Sequence, residues 1–225
     1  MHKHYLYYIL AIIIIVSTAT AIEPTIALYS PDDITTITIT LDNVYVEPDD
    51  TLLPKLYVWR LDGEDDYVDC GDSSSLKFFY PITIESLVIP FNRSDFRLIV
   101  STGTLHSNGY YTFGINNDQY RAELNNGTTR FLYKYGTISD SNLGKPQHLT
   151  ITWDGSEFSG YVNATERSST LSYSGSTTPA FTSLKIAHGL DRAYFEGYIS
   201  FVRIYNSILS ESEIINAYSK HVVNA

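Results

Sequence analysis

Acidic side chains are concentrated in one short stretch of the chain, between residues 62 and 72. The carboxylates of this stretch belong to Asp62, Glu64, Asp65, Asp66, Asp69 and Asp72. Calcium takes about six to eight oxygen ligands, and a loop that holds several carboxylates close together can supply part of such a set. The pattern therefore predicts a calcium site with Asp62, Asp65 and Asp66 as ligands. The alternative interpretation is an acidic loop that is only solvated.

The same acidic run lacks the spacing of a glycosidase active site. Retaining hydrolases need two carboxylates about 5 Å apart on one face, which alternate positions of a strand provide. The chain has no E-x-D-x-E pattern, and consecutive acidic residues such as Asp65 and Asp66 would point to opposite faces of a strand. We therefore expect no enzymatic activity, and a glycoside hydrolase is the less favoured alternative.

The six histidines do not indicate a catalytic site either. None of them stands in a nucleophile motif such as G-x-S-x-G, although a triad is defined by geometry and leaves no fixed sequence pattern. We expect these histidines at the surface or in loops.

The 19 tyrosines offer a different chemistry, the recognition of sugars. A tyrosine ring can stack on the C–H face of a sugar while its hydroxyl group makes hydrogen bonds. Most of these rings are expected in the core or in cross-strand packing. Four lie in a central run of predicted strands, where a sandwich exposes a concave sheet, and are candidate ligand-binding residues: Tyr110, Tyr111, Tyr133 and Tyr135.

Composition and charge narrow the class of protein. The formal net charge is -10 at pH 7 and no Lys/Arg cluster interrupts it, which argues against a nucleic-acid partner. The single cysteine, Cys70, cannot form an intramolecular disulfide, and no Cys/His spacing fits a zinc site. The composition, with 44% apolar residues and many Tyr, Ile and Thr, favours one folded domain made mostly of strands.

Strand patterns recur through the middle of the chain, with turn residues between them. Runs of β-branched and aromatic residues predict strands at 96–100, 110–115, 119–124, 131–135, 148–153 and 158–162. Asn-Gly, Asp-Gly and short Asn-containing loops separate them, which is typical of hairpins. Because no helical crossovers join the runs, a parallel α/β sheet is excluded and an antiparallel meander is predicted.

The chain ends with a strand and a helix signal. Residues 194–205 crowd aromatic and β-branched side chains, which predicts a buried strand. Ser210 and Glu213 then have the spacing of a capping box, and Leu209 and Ile214 that of a hydrophobic staple. A short helix should therefore begin at Ser210 and dock on the folded domain through Ile214.

The first 21 residues have the pattern of an export signal. An apolar block of about 12 residues follows Lys3 and ends before a small-x-small cleavage site at Ala19-Thr20-Ala21. A membrane-spanning helix needs roughly 20 residues, so cleavage is favoured, but an uncleaved anchor that includes Ile22 is the alternative. We expect a secreted or extracellular surface protein, or one anchored to the membrane by its N-terminus.

Three N-x-S/T sequons support export, because they matter only where glycosylation occurs. The predicted glycosylation sites are Asn92, Asn126 and Asn163. All three fall in predicted turns, although chance alone could supply one or two of them.

Two signatures resemble laminin G-like (concanavalin A-like) jelly-roll domains. The C-terminal one, F-x-G-x-I, V-R-I-Y-N and L-S-x-x-E-I, is present here as Phe195, Gly197, Ile199, Val202, Arg203, Ile204, Tyr205, Asn206, Leu209, Ser210, Glu213 and Ile214. The N-terminal one, D-G-x-D-D-Y-V, C-G-x-x-x-S-L and T-I-E, is present as Asp62, Gly63, Asp65, Asp66, Tyr67, Val68, Cys70, Gly71, Ser75, Leu76, Thr83, Ile84 and Glu85. The run H-L-T-I-T-W-D-G…Y-V-N, from His148 on, resembles the central hairpin of the family.

The resemblance implies an all-β fold, an antiparallel jelly-roll β-sandwich with one short C-terminal helix. The implied organisation is a signal or anchor at 1–21, a β-rich extension or spacer at 22–55, the jelly-roll domain at 56–219 and a tail at 220–225. Family members often hold one Ca²⁺ beside the acidic loop, with help from an acidic residue after the F-x-G-x-I strand. This chain has Ser200 and Phe201 there, and Leu87 where the family usually has a tryptophan.

The combined interpretation is a secreted or surface-displayed binding module that recognises carbohydrate or a glycosylated surface. Calcium is the one cofactor that the sequence suggests. The alternative is a structural role, in which the sandwich is an envelope, capsid-like or cell-surface building block held by lateral self-association.

Overall fold

The fold is seen in a computed structural model. It describes residues 11–16, 26–27, 36–37, 59–73, 76, 80–102, 111–125, 129–167, 169–176, 181–188 and 194–223. Within these residues, sixteen strands form two sheets, and one α-helix follows the last strand. Within the described part of the chain, no helix is long and apolar enough to cross a membrane.

The first sheet has nine strands and contains the long strands β6, β11 and β16. Its order is β13 (Thr165–Arg167), β12 (Phe158–Val162), β11 (Gln147–Trp153), β6 (Ile82–Pro90), β16 (Glu196–Tyr205), β1 (Ala11–Val16), β2 (Ile26–Ala27) and β3 (Thr36–Ile37), and β4 (Trp59–Asp62) also pairs with β16. All pairs are antiparallel except β1 with β16, which is parallel. β1 and β4 lie one after the other along the same edge of β16, opposite 202–205 and 196–199.

The second sheet has seven strands, all antiparallel. Its order is β14 (Ser169–Ser176), β10 (Thr129–Thr137), β9 (Gln119–Asn125), β8 (Tyr111–Asn116), β7 (Phe96–Ser101), β15 (Lys185–Ile186) and β5 (Val68–Asp69). The hairpin of β8 and β9 turns through Asn117 and Asp118, both with positive φ, as a two-residue hairpin turn requires. The strands predicted at 96–100, 110–115, 119–124 and 131–135 are confirmed within one or two residues at each end.

The core lies between the two sheets because each strand alternates its side chains. In β6 the core residues are Ile82, Ile84 and Val88, and in β11 they are Leu149 and its i+2 and i+4 neighbours. Aromatic rings fill much of the space, and the largest fully buried ones are Trp153, Tyr111, Tyr120, Tyr135, Phe113 and Phe195. With no disulfide among the described residues, this packing is the main source of stability.

The predicted C-terminal helix is confirmed as α1 (Glu211–Tyr218), which continues into a π-helical turn, Ser219–Val223. The Glu213 backbone N–H donates to Ser210 Oγ at 3.4 Å, and the Ser210 N–H donates to the Glu213 carboxylate at 2.7 Å. These hydrogen bonds satisfy donors that the first helical turn leaves without partners. Ile214 is 1% exposed and fixes the helix on the outer face of the first sheet.

Candidate functional site

The acidic loop, residues 62–66, joins the end of β4 to β5. Asp62 Oδ1 accepts hydrogen bonds from the backbone N–H groups of Glu64 at 2.8 Å and Asp65 at 3.3 Å. The Asp62 N–H in turn donates to Asp66 Oδ2 at 3.1 Å. The loop reverses at Gly63, whose φ of +80° favours glycine. These bonds lower the pKa of the Asp62 carboxyl, with the Glu64 N–H as the largest cause.

The three predicted ligands are brought together by this loop. One carboxylate oxygen from each of Asp62, Asp65 and Asp66 lies within 4.8 Å of the other two, and all three side chains are exposed. Two ligands on opposite sides of a calcium ion lie about 4.6 to 5.2 Å apart, so the spacing fits such an ion. Whether calcium binds stays a prediction, because exposed acidic groups are also common without a cation.

A further carboxylate close to the loop belongs to Glu196, the cross-strand partner of Asp62. A Cβ added to Gly63 would approach the Glu196 Cβ within 2.8 Å, which shows how tightly the loop is held against β16. Glu196 Oε2 accepts a hydrogen bond from Asn92 Nδ2 at 3.0 Å. The sequence pointed to positions 200 and 201 of this strand, whereas Glu196 is identified only by the register of β16 with β4.

Next to the acidic loop lie three aromatic rings and a lysine that sequence reasoning also missed. They are here called the tyrosine cluster: Tyr67, Lys185, His188 and Tyr194. The ring centroids of Tyr67 and His188 are 4.6 Å apart, and those of His188 and Tyr194 are 4.8 Å apart with perpendicular planes. Lys185 Nζ lies 5.2 Å from the centroid of the Tyr67 ring. Tyr67 follows the ligand candidate Asp66 directly and is 46% exposed.

The tyrosine cluster carries one positive charge at neutral pH. Burial lowers the pKa of His188 and the Lys185 ammonium lowers it further, while Asp69 acts in the opposite direction. His188 is therefore neutral at pH 7, and the charge belongs to Lys185. The cluster thus combines an exposed aromatic ring, a cation and hydrogen-bonding tips.

The tyrosines proposed from sequence occupy a different place. Tyr111, Tyr133 and Tyr135 are 1%, 5% and 0% exposed and belong to the core, so their prediction as ligand-binding residues is wrong. The reason is strand register, which turns these rings between the sheets, where Tyr133 stacks on Phe158 at 4.1 Å. Tyr110 lies outside the described residues.

The expectation for the histidines needs correction as well. His148 is fully buried on β11, and His188 is only 9% exposed. His148 Nε2 lies 2.7 Å from Glu85 Oε1, within a buried group of side chains on the outer face of the first sheet. Alternating apolar and polar residues in β11 were visible in the sequence, but the sequence did not show that the C-terminal helix covers the polar side of β11.

Two of the three predicted glycosylation sites lie in described turns. Asn92 donates to Glu196, and its Oδ1 accepts from the Ser94 N–H at 2.9 Å. Asn163 and Ala164 form the β12–β13 turn with φ values of 51° and 57°, and Asn163 Oδ1 accepts from the His148 N–H at 2.9 Å. Asn126 lies outside the described residues. Glycosylation at all three positions stays a prediction.

Two mostly antiparallel sheets packed face to face, with a capped helix after the last strand, define a β-sandwich of the concanavalin A-like kind. A family model of laminin G type, described as the concanavalin A-like lectin/glucanases superfamily, matches residues 62–215. The chain therefore belongs to this superfamily.

Three solved structures are similar to this chain to different degrees. The binding domain of botulinum neurotoxin serotype D is 14% identical, with a TM-score of 0.54 over 78% of this chain and 46% of that domain. Domains LG4-5 of the mouse laminin alpha1 chain are 13% identical, with a TM-score of 0.45 over 64% of this chain and 40% of that one. A heptameric pentraxin from Limulus polyphemus is 15% identical, with a TM-score of 0.46 over 64% of this chain and 72% of that one.

The chain spans less than half of the toxin domain and of the laminin fragment, and identities of 13–15% concern the fold alone. No curated protein matches the sequence.

Proposed function

We propose that the protein is a binding module for carbohydrate or a glycoconjugate, with its site where the acidic loop adjoins the tyrosine cluster. The observation that carries the proposal is the Tyr67 ring. It is 46% exposed and follows Asp66 directly, so a stacking surface and a group of cation-binding carboxylates occupy adjacent positions.

The tyrosine cluster offers two kinds of contact to a sugar ring, stacking and hydrogen bonding. The exposed face of Tyr67 can pack on the C–H face of a sugar ring, while Lys185 donates to its hydroxyl or carboxylate oxygens. His188 and Tyr194 pack around Tyr67 and restrict its motion, which reduces the entropy lost on binding. A neutral His188 adds no second positive charge that would repel Lys185.

Calcium would be held by Asp62, Asp65 and Asp66. The bound ion would neutralise the repulsion among the carboxylates and could ligate sugar hydroxyl oxygens directly. The Asp62 hydrogen bonds to backbone N–H groups already order one ligand before any ion binds.

The comparisons support a binding role in general terms. Among the solved structures with this fold, the serotype D toxin structure is a binding domain, with a TM-score of 0.54. The superfamily name covers lectins and glucanases alike, so the distinction between binding and hydrolysis depends on the site. In the described residues, the site offers an exposed stacking ring beside a group of cation-binding carboxylates, which favours a binding role.

A glycan array probed with the purified protein tests the proposal. We expect saturable binding to a defined set of glycans, lost in Tyr67→Ala and retained in Tyr80→Ala. Tyr80 is a matched control because it is 49% exposed and packs against Trp153, not against the acidic loop. Silence of the array together with ordered self-assembly would overturn the proposal and support the structural role.

We also propose that the protein is exported and that residues 1–21 are removed. Ala11–Val16 pairs with 202–205 in the structure, so cleavage would leave that part of β16 without its parallel neighbour. Intact-mass analysis of protein purified from its natural source distinguishes the two outcomes. A mass that begins at Ile22 supports cleavage, and one that begins at Met1 supports an anchor.

A further inference from the structure

The C-terminal segment, residues 211–223 and here called the C-terminal strap, covers polar and aromatic side chains of the first sheet. Ile214, on the face of α1 that is turned toward the sheet, is 1% exposed. The Tyr218 ring lies 5.8 Å from the His148 ring, and the His221 ring lies 5.0 Å from the Phe201 ring. The strap therefore contacts β11 through Tyr218 and β16 through His221.

Beneath the strap lies a charged network centred on Glu85, which is 1% exposed. Its carboxylate accepts hydrogen bonds from Arg203 Nη1 at 3.3 Å and from the Tyr205 hydroxyl at 3.0 Å. His148 Nε2 lies 2.7 Å from its other oxygen. The Arg203 guanidinium also lies 4.1 Å from the centroid of the Phe201 ring.

His221 is the group that ties the strap to this network. Its Nε2 lies 2.9 Å from Arg203 Nη2. Because a guanidinium only donates, His221 must accept in this contact, and only the neutral imidazole has a nitrogen lone pair for it. Protonation would convert the acceptor into a donor and place two positive charges face to face.

The charges around His221 come from every element packed against it. Arg203 on β16 and Lys220 on the strap oppose a charge on His221, as does His148 on β11, whereas Glu85 on β6 favours one. Burial is the largest cause and, together with Arg203, it lowers the pKa of His221 from its ordinary 6.5 to about 4. The strap is therefore docked with His221 neutral at pH 7.

We propose that the C-terminal strap is an acid-releasable latch, docked while His221 is neutral and detached from the first sheet when His221 is protonated. Release uncovers Phe201 and Arg203, a combination of an aromatic ring and a cation that is otherwise shielded from solvent. The inference is independent of the carbohydrate site, since it rests on side chains of β6, β11, β16 and the strap.

The sign of the pH dependence follows from the two states. A released His221 takes up its proton near pH 6.5, and a docked one near pH 4. Between these values the released strap binds more protons, so lowering the pH favours release. The ratio of released to docked strap should rise about 10- to 100-fold between pH 7 and pH 4.

Hydrogen exchange of the full chain, corrected for the intrinsic pH dependence of exchange, tests the latch. We expect protection factors of amides 211–221 to fall about 10- to 100-fold between pH 7 and pH 4, while those of β6 and β11 change much less. In His221→Gln, whose side-chain oxygen can accept from Arg203 without titrating, protection of the strap should be independent of pH over this range. His221→Lys, which carries a permanent charge, should lose strap protection already at pH 7.

Two results would overturn the inference. One is strap protection in the wild type that does not fall, or that falls in parallel with the core strands. The other is a His221→Gln variant that loses strap protection in acid as the wild type does. Because His221 lies beyond the last strand, protection of β6 and β11 in the same experiment reports whether each variant is folded.

Discussion

Replacing Glu85 by glutamine should destabilise the protein strongly at neutral pH. The substitution keeps the size of the side chain and one carbonyl-type acceptor, but it removes the negative charge opposite Arg203. It also gives the side chain an N–H₂ group, which cannot accept from the Tyr205 hydroxyl or from Arg203. The Arg203 guanidinium, with 17% of its side chain exposed, then loses its only ion-pair partner among the described residues.

The loss of stability in Glu85→Gln can be estimated in two ways. Breaking a buried ion pair by removing one partner costs about 3 to 5 kcal/mol. In addition, hydrogen bonds and charges from His148, Arg203 and Tyr205 outweigh burial and lower the pKa of Glu85 from its ordinary 4.5 to about 2. That difference corresponds to about 3 kcal/mol of stability at pH 7. We therefore expect Glu85→Gln to lose about 3 kcal/mol.

The same pKa shift fixes how the loss depends on pH. A carboxyl group whose pKa is lowered by folding stabilises the folded state above pH 4.5, and this stabilisation disappears as the pH falls through about 2. The difference between wild type and Glu85→Gln should therefore be clearly smaller at pH 3 than at pH 7.

Urea denaturation followed by circular dichroism at both pH values measures this difference. Glu166→Gln is the matched control, because Glu166 is exposed on β13 and accepts only from Ser159 Oγ among the described hydrogen bonds. The control should change stability by less than about 0.5 kcal/mol. A Glu85→Gln variant as stable as the control at pH 7, or equally destabilised at pH 7 and pH 3, would refute the reasoning.

Three further predictions concern the helix, the core and the acidic loop. Ser210→Ala should lower the free energy of unfolding by about 1 kcal/mol through the lost helix cap, and Ile214→Ala should lower it by about 2 to 5 kcal/mol because Ile214 is buried. Equal denaturation midpoints for wild type and both variants would contradict the docking of α1. Tyr135→Phe should be neutral or stabilising, because the buried hydroxyl has no hydrogen-bond partner among the described residues. Tyr111→Phe should cost about 1 kcal/mol, since its hydroxyl donates to a backbone carbonyl at 3.1 Å, and the reverse order of stabilities would be evidence against these positions. EDTA should lower the melting temperature and added Ca²⁺ should restore it, because calcium at 100 times Kd would stabilise the folded state by about 2.7 kcal/mol. The response should be smaller in Asp65→Asn, and a melting temperature unchanged by EDTA and by Ca²⁺ would show a solvated loop.

Much of the fold could be predicted from the sequence because its signals are local. Strand runs such as 148–153 are bounded by turn residues, and the capping box at Ser210 contains its own partner three residues later. β14 was missed because STLSYSGS alternates small polar residues with few apolar ones. Its strand character comes from pairing with β10, which is a tertiary effect.

Only the acidic loop of the candidate site could be predicted from the sequence, because the residues of the tyrosine cluster are far apart along the chain. Asp62, Asp65 and Asp66 are neighbours in sequence, so their proximity in space follows from one tight loop. The partners of Tyr67 come from residues 185–194, more than a hundred positions away, and only the pairing of β5 with β15 brings them together. The buried tyrosines of β8 and β10 show the same limit, since a strand pattern does not state which of its faces meets the other sheet.

A binding titration with a glycan identified on the array tests the central claim most directly. Wild-type protein, Tyr67→Ala and the control Tyr80→Ala are compared in the presence of Ca²⁺ and in EDTA. We predict that Tyr67→Ala weakens binding by about tenfold or more while Tyr80→Ala binds as the wild type does, and that EDTA weakens the wild type. Equal affinities for wild type and Tyr67→Ala would contradict a carbohydrate site at the acidic loop and the tyrosine cluster.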